Sequence, residues 1–140
     1  MPPNDRPHAW TRWPLPLASL LVGVLGATAM WVGVHLLLGT MAAWMAPLAA
    51  LDMAWMLRLG AAPAGRTRAL LATAATAIAV GLSLWVVAAT QIGRLLGLSP
   101  LESAQRLGPV LFGELLRHGT DGWDLLFLAV ALPLAWRLGR

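Results

Sequence analysis

From Leu15 to Leu51 the chain contains no Asp, Glu, Lys or Arg. Drawn as one helix at 1.5 Å per residue, that stretch would be about 55 Å long, against a bilayer hydrocarbon core of about 30 Å. It is too long for one crossing and too apolar for a solvated loop, so it must fold back on itself. The reversal is expected at residues 38–41, "LGTM", where Gly39 can end one helix and Thr40 can cap the next.

The surrounding solvent follows from composition. The 140 residues are 59% hydrophobic and 11% charged, whereas soluble domains run at about 45–50% and about 25%. A chain this small has too little interior to hide the surplus. An all-α integral membrane protein is therefore expected, with the lipid bilayer as its first partner. All ten basic residues are Arg and the net charge is +4. They are scattered between apolar runs, which suits membrane topology better than nucleic acid, and no nucleic-acid partner is expected. With no cysteine, disulfides, thiolate metal sites and thiol redox chemistry are excluded together.

Four spans are expected, at about 16–38, 41–59, 69–90 and 122–138, in one domain over 15–140 behind a short polar tail, 1–14. The tail followed by an apolar run and "ATA" at 27–29 has the outline of a cleavable leader, but hydrophobicity continues to Leu38 and a retained span is expected. "GAAPAGRTR", 60–68, reads as a loop. Between the third and fourth spans, residues 99–119 open with Ser99, Pro100 and Glu102, the pattern of a capping box with proline at the first helical position. Leu101, Ala104, Leu111, Phe112 and Leu115 recur at helical spacing opposite Glu102, Arg106 and Arg117. One amphipathic helix lying on the membrane surface or roofing the bundle is expected there, kinked at Pro109.

This threading puts Arg6, Arg12, Arg58, Arg66, Arg68, Arg137 and Arg140 on one side, and Arg94, Arg106 and Arg117 with four acids on the other. The positive-inside rule then makes both termini cytoplasmic, in a cell inner (plasma) membrane, with the amphipathic helix outside. Trp13 and Trp136 fall at the cytoplasmic boundary and Trp44 and Trp123 at the other, where indoles prefer to sit, and Arg58 reads as a boundary anchor.

"LAALDMAWMLRLG", 48–60, raises a sharper question, because Asp52 and Arg58 stand in an otherwise apolar span. Six residues place them about 240° apart around a helix, so they cannot neutralise each other within it. Asp52 lies about 10 Å in from Leu59 by helical rise. Three roles stay open for it: an interfacial residue, a hydrogen-bond anchor, and an ion- or proton-binding site. Thr73 and Thr76 of the third span, with Ser19 and Gly23 of the first, count to equal depth and are its candidate partners.

His35 is the only histidine in a span, which disfavours a two-histidine haem, and it reads as a packed or interfacial residue with proton binding as the functional option. Pro47 and Pro133 should kink the second and fourth spans. Hydrolase and metalloprotease templates are absent, and neither cofactor nor metal is expected. The function expected is a non-enzymatic accessory, assembly or anchoring component of a membrane complex, its partners being other membrane subunits or a second copy. The alternative is a small transporter or channel component coupled through Asp52. An intramembrane enzyme using Asp52, His35 and Glu114 comes third.

Overall fold

A computed structural model describes residues 13–140, whose regular structure is all helical, with no strand among them. The elements are α1 (Pro14–Leu38), α2 (Met45–Leu59), α3 (Arg66–Leu96), α4 (Pro100–Arg106), α5 (Pro109–Gly119) and α6 (Gly122–Gly139). The tail expected at 1–14 lies outside the described residues except for Trp13 and Pro14, and proline at the first helical positions starts α1. Gly39, in the left-handed region at φ 69°, ends it, as its sequence position suggested.

α2 starts four residues later than expected. Thr40 is not its cap. Residues 40–44 run as an irregular segment in which Ala42 takes φ 51°, and Met41, Ala42 and Ala43 are buried. Side chains of α1 supply what a helix would have given this backbone. The Trp31 indole Nε1–H donates to the Met41 carbonyl at 2.9 Å, and His35 Nδ1 donates to the Thr40 carbonyl at 2.6 Å. Pro47 consequently falls in the first turn of α2, where its missing N–H breaks no helical bond, so it is not a mid-span kink. Pro133 does lie inside α6.

α3 is longer than the apolar window that announced it. Its 31 residues run through Gln91 and Arg94 and end at Gly97, φ 65°. Beyond it, the single kinked helix expected over 99–119 is two helices. Leu107 and Gly108 are both extended, with ψ of 100° and 158°; a residue before proline is driven out of the helical region, and Gly108 precedes Pro109. The Ser99–Glu102 capping box is present, with Ser99 N–H to Glu102 Oε2 at 3.2 Å and Glu102 N–H to Ser99 Oγ at 3.3 Å.

α1, α2, α3 and α6 run alternately up and down the bundle. α2 and α3 pack on each other and each packs on both α1 and α6, while α4 and α5 rest on the far end of α3. Gly93 meets Ser103 there, and the Trp85 and Phe112 rings pack at 5.0 Å between centroids, tilted by 44°. α1, α3 and α6 are long and apolar enough to cross a bilayer. α2, with 15 residues, spans only about 22 Å.

Side-chain size is sorted in an unusual direction. Many buried positions between helices are filled by alanine, among them Ala27, Ala46, Ala49, Ala50, Ala72, Ala79, Ala131 and Ala135, with larger side chains such as Trp31, Met53, Leu57 and Val87 between them. The outward faces carry Leu21, Val22, Leu25, Ile78, Leu125 and Leu126, each at least half exposed. Water would penalise that exterior heavily. Hydrocarbon does not, and small residues inside let backbones approach closely, which is how helices associate when lipid is the solvent. At Gly60, an added Cβ would stand 2.7 Å from Pro16 Cα, so α1 and the end of α2 touch backbone to backbone.

Candidate functional site

Asp52 stands at the middle of α2, about 10 Å of helical rise from either end. It lies on the rim between two faces. On one side, about 40° around the axis, is half-buried Met56, whose Cγ lies against Gly23 of α1. On the other side, within about 60°, are Leu48 and Trp55, exposed by 43% and 58%. Asp52 itself is half-buried.

The partners expected for it at equal depth are engaged elsewhere. Thr73 Oγ1 donates to the Ala69 carbonyl at 2.9 Å and Thr76 Oγ1 to the Ala72 carbonyl at 2.7 Å. Ser83 and Thr90 repeat the pattern on Ala79 and Val86, so the α3 hydroxyls turn back on their own helix. Ser19 shares its hydroxyl proton between the carbonyls of Pro16 and Met56, 2.8 Å from each. Among the described residues, no hydrogen bond or ion pair reaches the Asp52 carboxylate.

Arg58 does not face Asp52 either. Its guanidinium donates to the Leu138 carbonyl at 3.2 Å, and Arg68 donates to the Gly139 carbonyl at 2.8 Å. Two cations thus close the C-terminal end of α6, where the helix leaves carbonyls unpaired. Gly139 packs so tightly there that a Cβ would stand 2.8 Å from Ala69 Cα. Arg140 lies 5.7 Å over the Trp136 ring. This end gathers Arg58, Arg66, Arg68, Arg137 and Arg140 with no acid among the described residues.

His35 is 2% exposed. In its contact with the Thr40 carbonyl the ring must carry a proton on Nδ1, since a carbonyl can only accept. It clips the α1–α2 turn. No other metal-ligating side chain joins it, and no group of three His, Cys, Asp or Glu able to hold a metal occurs among the described residues. Glu114 lies instead on α5 beside His118, at 3.6 Å on the surface, so the structure does not bring the three residues of an enzyme reading together.

Of the expected anchors, Trp44 and Trp123 are exposed at the end opposite the arginines, and Trp13 and Trp136 are half-buried at the arginine end. A cavity of about 460 Å³ opens near Trp44, lined also by Thr40, Gln91, Asp121 and Asp124. Asp124 is engaged in capping α6, accepting from the Asp121 N–H at 3.1 Å. Beside the Ser99 cap, hydrogen bonds from Ser99 hold the exposed Glu102 carboxyl below its ordinary range.

Two contacts escaped sequence reasoning. The Trp31 bond to Met41 has no local signal, and Arg68 reads as a loop charge although it clamps a helix seventy-one positions away. Both depend on which elements meet in space, which no local pattern encodes.

No family description, curated protein sequence or solved structure matches this chain.

Proposed function

We propose that the chain is a four-span protein of the cell inner membrane, both termini cytoplasmic, serving as a non-enzymatic accessory, assembly or anchoring subunit of a membrane complex. α2 is the short fourth crossing, sheltered between α1, α3 and α6. α4 and α5 form the surface layer on the outer side. The all-arginine end supports the orientation, since an excess of Arg marks the cytoplasmic side. The observation that carries the functional reading is the interior itself. It is closed by alanine with a few larger apolar side chains, and the hydroxyls of α3 that face it are satisfied on their own helix. Such a bundle offers ions no polar route, while its large apolar exterior offers other helices ample surface.

The alternative, transport coupled through Asp52, is favoured by one observation, the position of that carboxyl at the midpoint of a short helix. Purified protein in vesicles carrying a pH gradient separates the two. The accessory reading expects the gradient to decay as in protein-free vesicles, for both the parent and Asp52→Asn. Faster decay that Asp52→Asn abolishes would replace it with the transport reading.

A further inference from the structure

The rim of α2 that carries Asp52 has an electrostatic vacancy which the chain's own described residues do not fill. Leu48, Leu51, Trp55 and Leu59 form an exposed apolar stripe along α2, and Asp52 stands at its edge beside Met56. A carboxyl on a single methylene cannot reach the headgroups across about 10 Å as a long arginine side chain can. Hydrocarbon supplies no donor, and Thr73, Thr76, Ser19 and Arg58 are all committed to backbone carbonyls. Intramembrane acids ordinarily pair with another polar group.

We infer that the Leu48–Asp52–Trp55 rim of α2 docks a transmembrane helix of a different protein that carries an Arg or Lys at mid-depth. The inference rests on the accessory-subunit reading and names its partner by charge complementarity. The apolar stripe receives the partner's aliphatic face, and the carboxylate receives its cation. A second copy of this chain does not fit, because a symmetric contact across this rim would set one Asp52 against another.

The test uses single-span polyleucine guest helices with Arg, Asn or Leu at the centre, and energy transfer to the full chain in phosphatidylcholine vesicles. The chain is labelled at Glu114→Cys, which lies on α5 away from the rim. The Arg guest is expected to associate roughly tenfold more tightly than the Leu guest, with Asn between them. Asp52→Leu should erase the preference, Asp52→Asn should shrink it, and Asp52→Arg should transfer it to a guest with central Asp. Equal association of the three guests with the parent would overturn the proposal, as would a preference undiminished by Asp52→Leu or self-association of the chain that outcompetes the Arg guest. Gradient decay in the same vesicles without guest reports on the accessory reading separately, so each can fail alone.

Discussion

The two ends of the bundle are built on different principles. At the arginine end, helices meet backbone to backbone at Gly60 and Gly139, and Arg58 and Arg68 fasten the last carbonyls of α6. At the other end the chain turns irregularly through 39–44, α4 and α5 lie across α3, charges of both signs are mixed, and a cavity of about 460 Å³ opens between the loops. One end is closed by close approach of main chains. The other is held by a few large side chains reaching into turns. The same chain therefore tolerates change very differently at its two ends.

The largest effect should come from the open end's main support. Trp31 is fully buried and donates to the Met41 carbonyl. Trp31→Ala is expected to cost about 3–5 kcal/mol, measured as a loss of unfolding free energy in detergent. Trp31→Phe, which keeps most of the volume and orphans the carbonyl, should cost about 1–3 kcal/mol. If both were silent, the turn would not depend on α1.

Glycines sharpen the contrast. Gly60→Val forces a side chain to within 2.7 Å of Pro16 Cα and should destabilise by about 1–3 kcal/mol. Gly113→Ala on α5, where an added Cβ meets nothing within 4 Å, should instead gain about 0.5–1 kcal/mol through helix propensity. Thermal unfolding of the two variants in one detergent decides it. Equal penalties would mean that the ends are packed alike.

The smallest effect is a pH dependence confined to α4. The Glu102 carboxyl sits below its ordinary value of 4.5 because Ser99 bonds to its charged form. A depressed folded-state value stabilises above the unfolded value, and that contribution disappears as pH falls through the folded one. The protection of α4 amides, with exchange corrected for its intrinsic pH dependence, should therefore be constant at neutral pH and fall only in acid, from about that value downward. Glu102→Gln should remove most of this dependence. An α4 that loosens with rising pH instead would contradict the capping role.

Much of the architecture was legible because it follows from simple signals. The uncharged run to Leu51 required a reversal, Gly39 marked it, and Ser99 with Glu102 marked the start of α4. What was not legible has physical reasons. Met41–Ala43 is as apolar as a helix but is irregular, because side chains from α1 satisfy its backbone, and hydropathy cannot distinguish those cases. The apolar window closed α3 near residue 90, yet arginine does not stop a helix and Gly97 does. For Asp52, counting gives a position along the helix but says nothing about direction, and the hydroxyls of Thr73 and Thr76 turn to their own carbonyls.

Lipid as the solvent of this bundle, crossed four times, is the claim on which the rest depends. The chain has no cysteine, so single cysteines report cleanly on sidedness. Ala64→Cys and Arg140→Cys should react with an impermeant maleimide from the cytoplasmic side of sealed inner-membrane vesicles. Thr40→Cys and Glu114→Cys should react from the opposite side alone, and Leu25→Cys from neither. Labelling of Ala64→Cys and Thr40→Cys from the same side, or ready labelling of Leu25→Cys, would contradict it.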